Sequence, residues 1–107
     1  MRLTLLTLRA IICLVIHSFR DPVTQQVWKT GKHKKLDPRI LKVAIRKLGM
    51  IEYAENLNDL RIPPSNHLEA LTGDRQGQHS IRINRQWRIC FTWTPSGASE
   101  VEITDYH

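Results

Sequence analysis

Residues 68–107 contain four arginines, Arg75, Arg82, Arg85 and Arg88, and no lysine. A guanidinium is a planar fork that grips phosphate oxygens in pairs and keeps its charge at any physiological pH. The spacing around these arginines says how they are held. Ile81 and Ile83 alternate with Ser80 and Arg82, and Trp87, Ile89, Phe91 and Trp93 alternate with Arg88, Cys90 and Thr92. Such period-2 alternation predicts two half-buried strands. Asn84-Arg85-Gln86 is a short turn between them, so the strands are expected to pair as an antiparallel hairpin. With the apolar row facing a core, Arg82 and Arg88 stand beside each other on the opposite face. Two guanidiniums on a rigid sheet would make a phosphate-binding surface.

The chain ends Asp105-Tyr106-His107. Histidine can take or give a proton near neutral pH. Tyrosine offers a hydroxyl and a ring on which a base can stack. Composition alone describes an exposed, frayed tail, yet strand parity puts Tyr106 on the same face as Arg88. The five histidines are scattered without ligand spacing, and there is no nucleotide-binding glycine loop or Ser-His-Asp pattern.

These groups need a scaffold, and the rest of the chain predicts an α+β one. At 107 residues the chain suits one domain with a modest core. A short strand is expected over 15–19. Asp21-Pro22 and Asp37-Pro38 each pair an N-cap residue with proline at the first helical position. The first helix should stop at Gly31. In the second, Leu41, Ala44, Leu48 and Ile51 recur at helical spacing as the buried stripe, and Gly49 weakens the interior. The consecutive prolines within 61–66 mark a connector. A short strand at 67–71, a turn marked by Gly73, Asp74 and Gly77, the hairpin and a last strand carrying Val101 and Ile103 complete the chain. The expected architecture is an N-terminal strand and a helical hairpin packed on an antiparallel sheet.

The formal net charge of +6 favours a polyanionic partner, most simply nucleic acid. Nine Lys or Arg lie between Arg20 and Lys47 against two acids, Asp21 and Asp37. Among them Arg39, Lys42 and Arg46 form a stripe on the second helix, beside the basic loop that holds Lys35. That run is equally a solvated face or a nucleic-acid contact. Cys13 and Cys90 do not make a disulfide framework, which suggests a reducing, cytoplasmic compartment. Residues 1–14 are apolar but interrupted by Arg9, too short for a membrane span and without a signal-peptide pattern. They are expected to be a dispensable extension, such as a mis-called start, ahead of a domain over 15–107; a first strand that begins early is the alternative.

From about Val15 onward the chain resembles the HigB-type toxins of the RelE/ParE superfamily, the plasmid-maintenance killer proteins. The residues that carry the likeness are Ile16-His-Ser-Phe-Arg-Asp21, Asn58-Asp-Leu-Arg-Ile-Pro-Pro64, Leu68-Glu-Ala-Leu-Thr-Gly-Asp-Arg75, Gln78-His-Ser-Ile-Arg-Ile-Asn84, Gln86-Trp-Arg-Ile-Cys-Phe91 and Val101-Glu-Ile-Thr-Asp-Tyr-His107. The resemblance implies an endoribonuclease that cuts mRNA in the ribosomal A site without metal or cofactor. It implies a HigA-type helix-turn-helix antitoxin as partner, operator DNA reached only through that antitoxin, and no membrane. The 2′-hydroxyl would attack the adjacent phosphate, leaving a cyclic phosphate and a 5′-hydroxyl. Arg88 matches the arginine that stabilises the phosphate, and Tyr106 and His107 match the terminal pair that orients substrate and moves protons. Arg82, Arg75, Thr72, Lys42, Arg46 and Lys35 would contact RNA.

Two positions depart from the family pattern. Many members have Lys where this chain has Thr72, and some have His where it has Glu69. Thr72 cannot replace a positive charge. Glu69 can serve as a base, as His can, but it repels phosphate. A gyrase poison of the ParE kind and an attenuated toxin acting mainly as co-repressor are the rival readings.

Overall fold

The computed structural model describes residues 16–105. The expected extension 1–14, Val15, Tyr106 and His107 lie outside the described residues. Two helices, α1 (Pro22–Thr30) and α2 (Pro38–Tyr53), precede four strands, β1 (Glu69–Ala70), β2 (His79–Arg82), β3 (Trp87–Thr94) and β4 (Gly97–Asp105). The strands form one antiparallel sheet in the order β1-β2-β3-β4. The expected N-terminal strand is reduced to two parallel bridges against β4, Ile16 to Ala98 and Phe19 to Val101. Between them the positive φ of Glu100 interrupts the regular ladder.

Both helix starts use proline at the first position, but the two aspartates differ. Asp37 accepts a hydrogen bond from the backbone N–H of Arg39 at 2.8 Å. Asp21 makes no side-chain cap, contrary to the expectation, and its Oδ1 is buried with no partner among the described residues. At its end α1 turns at Gly31, whose φ of 76° is left-handed, and the Gly31 N–H returns to the Val27 carbonyl at 2.8 Å.

The α2 stripe Leu41, Ala44, Leu48 and Ile51 packs on the sheet row of Ile81, Ile89, Phe91 and Ile103, with Val27 and Val101 closing the core. Thr24, fully buried on α1, accepts from the Ile103 N–H at 2.9 Å and so ties α1 to β4. Gly49 lies within α2, and a Cβ added there meets nothing within 4 Å. Gly49→Ala is therefore expected to raise stability by about 1 kcal/mol, through the lower backbone entropy of the unfolded chain. Gly31→Ala should lower it by about as much, since its left-handed φ disfavours a Cβ. Paired urea titrations measure both, and a loss on Gly49→Ala would show that α2 needs the glycine for packing.

Candidate nucleic-acid interface and active site

The hairpin register places Arg82 directly opposite Arg88, as the alternation predicts. Asn84 shapes the intervening turn, its Oδ1 accepting from the N–H groups of Gln86 and Trp87 at 2.8 Å each. The second sheet face carries cross-strand rows of Glu69, Ser80, Cys90 and Glu102, and of Arg82, Arg88 and Thr104.

This face is not open to solvent throughout, which corrects the expectation for Arg88. The segment around the prolines reaches this face. Two 3₁₀ turns, Leu57–Arg61 and Pro64–Asn66, end with His67 in a left-handed conformation, φ 45°. The His67 carbonyl then accepts from Arg88 Nη2 at 2.7 Å. Arg88 Nε donates to Ser80 Oγ, also at 2.7 Å, and Glu69 Oε1 stands 3.5 Å from Nη2. Arg88 is left 7% exposed. Its guanidinium is fixed in place on β3, with charge complement from a half-exposed carboxylate that an arriving anion can displace.

Arg88 forms the floor of an open cleft of about 370 Å³, shared with His67, Glu69, Arg82, Asn84 and Arg85. The Arg82 and Arg85 side chains make no hydrogen bond or ion pair among the described residues, and both line the cleft. Thr72 and Arg75 line a neighbouring concavity with Glu69. Arg75 is less available than its place in the sequence suggests, because Nη2 pairs with Glu102 Oε1 at 3.1 Å and Nη1 donates to Gln78 Oε1 at 3.0 Å. On the other side a concavity lined by Arg46, Lys47, His67 and Arg82 continues the cleft. Lys42 and Lys35 are exposed but line none of these hollows. Tyr106 and His107 lie outside the described residues. Cys90 is a fully buried free thiol, and burial, the largest influence on it, pushes its pKa up.

Sequence reasoning missed Lys47 and Asn66. Lys47 is 3% exposed inside the helix core, and its ammonium donates to Asn66 Oδ1. Asn66, fully buried, donates in turn to the carbonyls of Leu60 at 3.1 Å and Ile62 at 3.4 Å. It thereby locks the turn that presents the His67 carbonyl to Arg88. The one sequence signal was that Lys47 falls next to Leu48 on the stripe side of α2, where a lysine is out of pattern.

Residues 17–107 match the family model of the RelE-like toxin of type II toxin-antitoxin system HigB. The chain belongs to the HigB-like toxin family. The toxin is 40% identical over 76 residues to Toxin HigB-1 of Vibrio cholerae, covering 70% of this chain and 80% of that protein. It is 42% identical over 76 residues to an uncharacterized protein of Haemophilus influenzae, covering 70% and 75%. Among solved structures it is similar to the YoeB dimer from Staphylococcus aureus, with a TM-score of 0.57 at 19% identity over 87% of this chain and 98% of that one. The YoeB–YefM complex from the same organism aligns with a TM-score of 0.56 at 18% identity, over 86% and 97%. The toxin therefore has the expected RelE fold, helices on an antiparallel sheet. Among the described residues, no helix is long and apolar enough to cross a membrane.

Proposed function

We propose that this type II toxin is a ribosome-dependent mRNA endoribonuclease. The observation that carries the reading is Arg88, a guanidinium locked by Ser80 and His67 in the floor of a cationic cleft. Cleavage by 2′-hydroxyl attack puts five oxygens around phosphorus and concentrates negative charge there. A donor already oriented stabilises that charge without reorganising at the moment of reaction. In this reading phosphate takes over the Arg88 contact from Glu69. The released Glu69 carboxylate, still on the cleft wall, then serves as base toward the 2′-hydroxyl. Tyr106 and His107 orient the nucleotide and protonate the leaving 5′-oxygen. The chemistry needs no metal ion, because cations and proton carriers are supplied by side chains.

Arg82, Arg85 and Arg46 guide the RNA backbone, with Thr72 and Arg75 at the far edge and Lys42 and Lys35 adding long-range attraction to ribosomal RNA. The partner that silences the toxin is a HigA-type helix-turn-helix antitoxin, through which it reaches operator DNA, and its place of action is the cytoplasm. A solved YoeB–YefM complex supports an antitoxin partner. The deciding experiment is induction without antitoxin, with mRNA 5′ ends mapped in translated and untranslated copies of one message. New 5′-hydroxyl ends in the translated copy alone are expected. Toxicity without new ends, accompanied by arrest of DNA replication, would assign the toxin to the gyrase poisons instead.

The cleft and the helix stripe make separable contributions to affinity. Neutralising Arg82, Arg85 and Arg46 together should lower the slope of log K against log salt for single-stranded RNA by about 2, given about 0.7 per phosphate contact. Neutralising Lys35 and Lys42 should leave that slope nearly unchanged and weaken ribosome binding only at low salt. Fluorescence anisotropy at several salt concentrations checks both, and equal slopes for the two sets would remove the distinction.

A further inference from the structure

Beside the Arg88 cleft lies a concavity of about 310 Å³ between α2 and the β2–β3 turn. The two hollows share three residues, His67, Arg82 and Asn84. The second adds Arg46, Lys47 and Ser65 with the apolar Val43 and Ile83, and no carboxylate lines it. Lys47 is unusual there. Among the described residues its ammonium has Asn66 as hydrogen-bond partner and no carboxylate within ion-pair distance. A nearly buried cation held only by a neutral amide is costly, and an arriving anion would repay part of that cost. Arg46 and Arg82 add two more positive charges to the same walls, neither with an ion-pair partner among the described residues.

We propose that this concavity is a second phosphate subsite, which takes the RNA phosphate next to the one held at Arg88. Lys47 and Arg46 are its anchors from α2, Arg82 is shared between the two phosphates, and Ser65 closes the rim. The subsite rests on the endoribonuclease reading for its ligand. It goes beyond that reading in assigning a substrate contact to Lys47 and in setting the course of the RNA, from the hairpin toward α2. With two phosphates gripped one nucleotide apart, the ribose between them is fixed in orientation, which favours in-line geometry at the phosphate held by Arg88.

The test uses 2′-O-methyl oligoribonucleotides with unphosphorylated ends and one, two or three internal phosphates. They bind without being cleaved, because the attacking hydroxyl is blocked. Isothermal titration at fixed salt with the full-length toxin should show about a tenfold affinity gain from one phosphate to two, the scale of one charge-assisted contact. Lys47→Met should abolish that gain and keep the one-phosphate affinity. Because Lys47→Met removes a buried contact, Ser65→Asp provides a second variant on an exposed position that sets a carboxylate at the rim. It too should abolish the gain. A tenfold gain that survives in both folded variants overturns the subsite while leaving the Arg88 cleft standing. If no oligonucleotide binds even the wild type, the subsite is overturned, while the ribosome-dependent reading is decided separately by the mapped 5′ ends. If one phosphate binds and the second adds nothing, only the subsite falls.

Discussion

Arg88→Ala is expected to lower mRNA cleavage by about 10²–10³-fold, the loss seen when one preorganised donor is removed from a developing oxyanion. The structure changes what else this substitution does. A side chain 7% exposed, bonded to Ser80 and to the His67 carbonyl, leaves a gap and an unanswered carbonyl when truncated. We therefore expect a stability loss of about 1–3 kcal/mol beside the loss of activity. The two effects separate by assaying cleavage at a temperature where circular dichroism shows the variant folded. Arg88→Lys should restore most of the stability but little of the activity. Nε and Nη2 reach Ser80 and His67 at the same time, and a single ammonium cannot satisfy both and still face phosphate. If Arg88→Ala, Tyr106→Ala and deletion of His107 all remain fully toxic, the endoribonuclease assignment is wrong.

Asn66→Ala should give the largest stability loss of any single polar substitution described here, about 3 kcal/mol, by removing the neutral partner of a buried ammonium. The total stability of a chain this size is about 5–15 kcal/mol, so the variant should unfold at visibly lower urea. The same cut frees the turn at His67, so residual cleavage by folded protein should also fall. Lys47→Met and Asn66→Leu combined should be less harmful than the sum of the two singles, because no charge is then left buried without a partner. A strictly additive double variant would show that the pair is not coupled.

Lys47 also predicts a pH signature. Burial, helped by neighbouring Arg46, lowers its pKa in the folded state below the ordinary 10.5. Between the lowered value and 10.5 the unfolded chain holds the proton and the folded chain does not, so stability from this group rises with pH through that window. Below the window the burial penalty is present in full. The stability of wild type minus that of Lys47→Met should therefore increase toward pH 10.5. A flat difference would mean that the ammonium is solvated.

The local features of this protein were determined by the sequence alone. Asp-Pro pairs and Gly31 bound α1 and α2 because proline and glycine act through their own backbone torsions. The stripe of α2 and the hairpin with Arg82 opposite Arg88 follow from periods of 3.6 and 2, which hold whatever the chain packs against. Tertiary structure decided what period-2 alternation cannot express. Alternation sorts residues onto two faces but does not say what covers the second one. Here the His67 carbonyl meets Arg88, Arg88 lies on Ser80, and Arg75 stands near Cys90, so all three are buried although each falls on the polar side of its strand. For the same reason β1 shrinks to two residues and the N-terminal strand to two bridges, since their pairing depends on where neighbouring backbone arrives. Lys47 and Asn66 meet across 19 residues of chain, and no local propensity could have paired them. The charge of Arg88 could be read from the sequence, but its orientation required a carbonyl supplied from 21 residues away.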